Sequence, residues 1–284
     1  MNLKSLFDYK VSLASHHVVF ALKGGMGNQL FQLAAALNYC ILNHRCFSLD
    51  LVKGRWDFSL EFLNISPNKC YQPTLENGKL TISSGKCEIH KIRIRPEAVY
   101  KEPHFHFSEI PNLGFVYFDG YWQSPKHFRM IQCSFKEMVR EKLALSVFPD
   151  QGSLNMHVRL GDMAFDKQSR EFHGIQPESY FINSINRFKI DYNKVCIVSE
   201  SINDVSHFYP NLYANISKFK CGSALEDFVF LSQSHRLVIS HSTFSWWAGF
   251  LSSGEVIAPR NWFSDRTLQT TSIKDLFPKH WTVI

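Results

Sequence analysis

A β-branched and aromatic run from His16 to Lys23 ends in Gly24-Gly25-Met26-Gly27, and a segment apolar on nearly every side follows at once, from Asn28 to Ile41. The first run has the composition of a strand. The Ala- and Leu-rich segment reads as a helix without a solvated face, which only a sheet or other helices can cover. Cys46 to Leu51 reads as a second strand. Strand, glycine turn, buried helix, strand is the opening of a doubly wound α/β domain.

The same turn carries chemistry. Glycines let backbone amides approach a phosphate or a sugar, and the helix that follows presents unpaired N–H groups there. No Gly-Lys-Ser/Thr sequence ends the turn, and Leu30 stands where a dinucleotide fingerprint places its third glycine, so neither nucleotide motif is present. A purely structural reading also fits: a tight turn with Asn28 capping the helix.

Further along, residues 60–112 are punctuated by Pro67, Pro73, Gly78, Gly85, Pro96, Pro103 and Pro111, and short strands and loops are expected. Residues 115–122 read as a strand and 125–145 as a helix opened by Pro125. Ser146 to Gly152 is the best linker. Alternation then resumes, with strands expected at 153–160, 194–200, 236–240 and 255–258 and helices at 177–189, 222–234 and 244–252. The expected organisation is an N-terminal α/β domain over 1–148 and a C-terminal one over 149–284, with the C-terminal tail packing back on the first.

Two sequence blocks join the glycine turn as candidate chemistry. His157-Val158-Arg159-Leu160-Gly161-Asp162 lies at the end of the first predicted strand of the second domain, where ligands of open α/β sheets gather. Arg159 offers a planar charged fork to a diphosphate, and Asp162 can hold the guanidinium or the ligand. An Arg–Asp structural pair is the plainer reading. His241-Ser242-Thr243-Phe244-Ser245-Trp246-Trp247 follows another strand, and its hydroxyl residues open a helix whose amides can meet a phosphate; equally, Ser242 or Thr243 is a cap and the tryptophans are core.

The net charge of +6 suits a protein that meets anions without selecting among nucleotides, nucleic acid and membranes. The run Lys86 to Arg95 alternates basic and apolar residues and reads first as a strand with a solvated face. Seven cysteines without a C-x-x-C pair indicate neither a disulfide framework nor a zinc ribbon, and a reducing compartment is expected. Charges at Lys4, Asp8 and Lys10 break any signal-peptide core, and no apolar run reaches membrane-spanning length, so a cytoplasmic protein is expected. No two aspartates are separated by a single residue, and no His or Cys cluster has ligand spacing; no metal is expected, and arginine and amides must neutralise a leaving diphosphate.

In this order, the three segments resemble the family 11 glycosyltransferases, the α1,2-fucosyltransferases of bacteria and animals. That family's Gly-Gly-Leu-Gly-Asn-Gln, His-x-Arg-Arg-Gly-Asp-Tyr and Asn-Ser-Thr-Phe-Ser-Trp-Trp patterns are similar to residues 24–29, 157–163 and 241–247. Gly120-Tyr121-Trp122-Gln123-Ser124, Phe172-His173-Gly174 and Val256-Ile257-Ala258-Pro259 match it too, so the resemblance spans about 16–263. Leu160, Met163, His241 and Ser199-Glu200-Ser201 depart from the pattern. The resemblance implies a GT-B-like fold of two facing Rossmann-like domains and inverting, metal-free transfer of L-fucose from GDP-fucose to a galactose 2-hydroxyl, with no cofactor. The acceptor would be a galactose-terminated oligosaccharide or lipid-linked glycan, an O-antigen precursor, handled at the inner face of the cell membrane through peripheral contact, with no nucleic acid involved. Arg159 would stabilise the departing phosphate with amides around Ser245 and Trp246. Asp227 would meet guanine with His157 beside the base, and Gly25, Gly27 and Asn28 would close over phosphate and fucose. For the acceptor proton, Asp162, Asp166, Glu171 and His173 lie on the right loop, with Asp162 the residue chosen. A transferase of another linkage or another GDP-sugar, and a lapsed sugar- or nucleotide-binding module, remain open.

Overall fold

A computed structural model describes residues 9–11, 16–52, 57–67, 69–85, 90–92, 96–112, 116–145 and 152–284. The chain forms two compact units, one of residues 1–142 with 274–276, the other of 143–273 with 277–284. The expected junction at 148/149 and the linker up to residue 151 lie outside the described residues, as do 86–89 and 93–95 of the basic run. Of the tail, Lys274–Leu276 belongs to the first unit, where Lys126 Nζ meets Asp275 Oδ1 at 2.5 Å and Ser124 Oγ donates to the Asp275 carbonyl.

The first unit runs β1 (Tyr9–Val11), β2 (His17–Leu22), α1 (Met26–Leu42), β3 (Cys46–Leu51), β4 (Tyr71–Glu76), β5 (Lys79–Ser84), β6 (His90–Ile92), β7 (Val99–Lys101), β8 (Tyr117–Asp119) and α2 (Gln132–Lys142). Its six-stranded sheet has the order β5-β4-β3-β2-β8-β7; β3, β2, β8 and β7 are parallel, and β4 and β5 form an antiparallel extension. Asn77-Gly78, both at positive φ, make the two-residue turn between β4 and β5. β2 is buried along its whole length and α1 over most of its surface, as their composition requires. Phe20 stacks on Phe118 at 4.8 Å and meets Tyr39 and Trp122 edge-on.

The second unit continues with β9 (Leu154–His157), α3 (Gly161–Phe165), α4 (Lys167–His173), α5 (Glu178–Phe188), β10 (Val195–Val198), α6 (Ile202–Phe208), α7 (Pro210–Asn215), β11 (Lys218–Lys220), α8 (Ala224–Ser232), β12 (Arg236–Val238), α9 (Thr243–Leu251), β13 (Glu255–Ala258), α10 (Asp265–Leu268) and β14 (Thr282–Val283). Its sheet, β11-β10-β9-β12-β13-β14, is parallel throughout. From β9 the chain winds outward through β10 and β11, then returns to β12 on the other side and winds outward again. The direction therefore switches between β9 and β12. Two Rossmann-like α/β units in one chain give the GT-B-like fold class.

Differences from the sequence reading are local. The segment 125–145 is a 3₁₀ turn at Pro125–Phe128 and then α2, because Ser124 caps the turn and Gln132 Nε2 donates to the Pro125 carbonyl. Of the strand expected over 115–122, residue 115 lies outside the described residues and β8 is the strand among the rest: Trp122 takes φ 56°, off the strand path. The cysteines also correct an expectation. Cys70 is disulfide-bonded, while Cys40, Cys46, Cys133, Cys196 and Cys221 are free. An odd count excludes a full pairing, not a single bond. Among the described residues no helix is long and apolar enough to cross a membrane.

Candidate functional site

In the second unit the parallel strands deliver their C-terminal residues to one edge, and the crevice at a winding switch is where such sheets bind ligands. Here the switch lies between β9 and β12, and the two ends are tied by His157 Nδ1 and Ser240 Oγ at 2.9 Å. Two residues past β9, Arg159 holds Asp162 Oδ1 through Nη2 at 2.9 Å and Glu200, beyond β10, through Nη1. Its Nε is buried with no acceptor. Ser169 Oγ donates to the other oxygen of Asp162. Gly161 makes the geometry available: at φ +40° a Cβ would stand 2.5 Å from the Glu200 carboxylate.

Electrostatics follow from burial beside this guanidinium. Burial lowers His157 to about 3, reinforced by Arg159 and His241, and lowers His241 to about 3, with His173 adding to the effect. Both rings are therefore neutral at pH 7. His241 Nε2 lies 3.2 Å from the Gly174 carbonyl and donates to it, leaving a buried Nδ1 without a partner. Burial alone would raise Asp162, but the charge and hydrogen bond of Arg159 outweigh it and hold the carboxyl below its usual range.

α9 opens at the same edge. Its N-cap, Ser242, makes no side-chain cap bond, so the first-turn amides of Thr243, Phe244 and Ser245 keep the unpaired positions of a helix start. Trp246 does not share this role: its amide donates to the Ser242 carbonyl at 2.9 Å and its ring is buried against Trp247, Phe250 and Trp281. The Ser245 hydroxyl is likewise used locally, on the Ser240 and Ser242 carbonyls. Phe244 lies between the rings of His157, at 5.4 Å, and Phe228, at 5.3 Å. Asp227, mostly buried, accepts from the Gly222 amide and pairs with Lys220 at 3.5 Å.

The first unit carries its own strand-edge turn. Gly24 sits at φ +78°, where a Cβ would fall 2.2 Å from the Asn28 amide, and α1 starts at Met26 with Gly25 as an N-cap that has no side chain. Asn28 is therefore not the cap; its Oδ1 accepts from Gln123 Nε2 at 2.7 Å. Gln29 donates to the carbonyls of Gly24 and Asp57, and Gln32 bonds both backbone groups of Lys23 and donates to the Gly120 carbonyl. Lys23 pairs with Asp119 at 2.7 Å and lies over the Tyr121 ring.

The second unit thus gathers His157, Arg159, Asp162 and the start of α9 at one edge, with Asp227 on the neighbouring helix α8; the first unit holds Gly25, Gly27 and Asn28. Sequence reasoning did not find Glu200 as a partner of Arg159, nor Ser240. It also missed Glu102, whose carboxylate accepts from the amides of Tyr121 and Trp122 and which burial raises to about 6 against those bonds. Two departures from the family pattern prove to be core residues: Leu160 and Met163 are buried, Leu160 within the apolar cluster of the second unit.

The model of Glycosyl transferase family 11 matches residues 21–284. An alpha-1,2-colitosyltransferase of Escherichia coli is 26% identical over 94% of this chain and 98% of its own length. The O-antigen biosynthesis glycosyltransferase WbnK of Escherichia coli is 25% identical over 86% of this chain and 94% of its own. Among solved structures, the NodZ alpha-1,6-fucosyltransferase co-crystallized with GDP is similar at 16% identity, with a TM-score of 0.44, covering 84% of this chain and 92% of that one. With the family model spanning both units, the chain belongs to glycosyl transferase family 11.

Proposed function

We propose that this glycosyltransferase carries L-fucose from GDP-fucose to the 2-hydroxyl of a galactose, with inversion and without a metal, on an oligosaccharide or lipid-linked O-antigen precursor. The observation that carries the reading is the orphaned Nε of Arg159, buried at the strand-switch crevice beside the uncapped start of α9. A diphosphate oxygen supplies the missing acceptor, and the guanidinium with the Thr243–Ser245 amides neutralises the charge that grows as the glycosidic bond to phosphate breaks. Asp162 and Glu200 fix the fork so that no reorganisation is needed at that moment. Asp162, held strongly ionised, positions Arg159 and is a poor collector of the acceptor's proton.

His157, neutral and locked to Ser240, and Phe244 form a wall for a flat base, with Asp227 the carboxylate that meets guanine. In the first unit, Gly25, Gly27 and Asn28 offer a close-approaching backbone of the kind that meets a phosphate or a sugar. The protein works in the cytoplasm, and its contact with the membrane surface is peripheral and electrostatic.

A second reading changes the donor. The colitosyltransferase relative transfers colitose, by its name, and a nucleotide-linked colitose fits the same phosphate cradle. Release of GDP in EDTA from each donor, with lactose or N-acetyllactosamine as acceptor, decides. Turnover of GDP-fucose and an α1,2 product by NMR are expected; turnover restricted to the colitose donor replaces the first reading, and no turnover of either, with GDP bound, points to a lapsed site.

A further inference from the structure

At the opposite edge of the first unit's sheet, three potential metal ligands converge. His17 and Cys46 open the parallel neighbours β2 and β3 and are paired in register. Cys70 directly precedes β4, whose first residue Tyr71 pairs with Phe47. The ligand atoms of all three lie within 4.8 Å of one another. Nδ1 of His17 is 3.6 Å from the Cys46 sulfur and 3.5 Å from the Cys70 sulfur. On its other side, Nε2 lies 3.1 Å from Ser48 Oγ, two residues along β3 and on the same face as Cys46.

We propose that, once the Cys70 disulfide is reduced, His17, Cys46 and Cys70 bind a thiophilic divalent cation, zinc, at this corner. The distances fit: Zn–S of ~2.3 Å and Zn–N of ~2.0–2.1 Å at a tetrahedral angle put nitrogen and sulfur about 3.5–3.6 Å apart. The ring is already oriented, because Nε2–H donating to Ser48 leaves Nδ1 as the lone-pair ligand. The chemistry balances. A cellular dithiol supplies two electrons and two protons to the disulfide and is itself oxidised to a disulfide. Zinc then displaces one proton each from Cys46 and Cys70, and the assembly of one dication, two thiolates and a neutral imidazole carries no net charge. The fourth position is left to water or a further donor. The corner lies at the N-terminal ends of the strands, with the six-residue β2 between it and the glycine turn, so the cation takes no part in transfer.

The test uses the full chain, reduced with dithiothreitol and desalted without oxygen. Zinc uptake of one equivalent per chain is expected, with intense thiolate-to-metal absorption when cobalt(II) replaces zinc. The untreated, disulfide-bonded chain should take up none at this corner. Cys46→Ser and His17→Gln should each weaken zinc binding by at least a hundredfold, and Ser48→Ala by about 10–100-fold through loss of the ring's orientation. Reduced wild-type protein that takes up no zinc, cobalt protein without a thiolate band, or uptake unchanged in Cys46→Ser overturns the proposal. The wild-type cobalt spectrum keeps it testable if a variant fails to fold.

Discussion

The two strand-edge turns solve different problems with different chemistry. In the second unit the edge is charged and deliberately incomplete: Arg159 is clamped by Asp162 and Glu200 yet keeps one buried N–H unanswered, and α9 opens without a cap. In the first unit α1 also opens without a side-chain cap, but the glycine turn before it is neutral and braced. Side-chain amides of Gln29, Gln32 and Gln123 answer backbone carbonyls and Asn28, and the turn itself carries no charge. The first edge holds a neutral backbone shape; the second adds a clamped cation, and on the proposed reading it is the second that takes the anion.

Acidification should strain both units. His17 and His127 in the first, lowered by burial to about 4, and His157 and His241 in the second, lowered to about 3, stay neutral when folded but protonate near 6.5 when unfolded. Their stability contribution is present above 6.5 and is lost as pH falls toward the folded values, at about 2 kcal/mol per histidine by pH 5. Four such groups exceed the effect of any single substitution. Urea unfolding at pH 7.5 and pH 5 should show this loss; a flat profile across that window would mean the rings are solvated.

Inside the motif 241–247 the same contrast recurs over a few residues. Ser242, Thr243 and Phe244, around the start of α9, are partly exposed, while Trp247 is fully buried. Trp247→Ala should cost about 3–5 kcal/mol of stability, with donor affinity per folded molecule unchanged. Calorimetry and GDP titration separate the two, and an affinity loss without a stability loss would move Trp247 into the site.

Arg159→Ala should lower kcat by about a hundredfold to a thousandfold, the scale of removing a group that meets developing charge, with little change in Tm. Near-normal turnover would assign Arg159 a structural role and erase the contrast between the two edges.

How much of this was legible depended on whether the signal lay within one segment. α1 announced itself because one helix was apolar all round, and the His157–Asp162 block because its residues share one strand end. Glu200 was noticed only as a departure; that it completes the clamp on Arg159 is a property of β9 and β10 lying side by side. His17, Cys46 and Cys70 escaped any scan of spacing because sheet register, not sequence distance, unites them. α3 and α4, of five and seven residues, are too short to display a helical period. Glu102 lies in the irregular stretch before β8, and only the turn of Tyr121 and Trp122 onto its carboxylate gives it a role.

The smallest effect gives the finest test of which helix starts are reserved for ligand. α8 opens with a full capping box: Ser223 Oγ accepts from the Glu226 amide while the Glu226 carboxylate accepts from the Ser223 amide. α9 also opens on a serine, but Ser242 makes no such bond. Ser223→Ala should therefore cost about 1 kcal/mol of stability and leave GDP affinity alone, whereas Ser242→Ala should leave Tm unchanged and weaken GDP binding. Equal stability losses in both would show that Ser242 caps α9 after all, and the start of α9 would then not be reserved for a ligand.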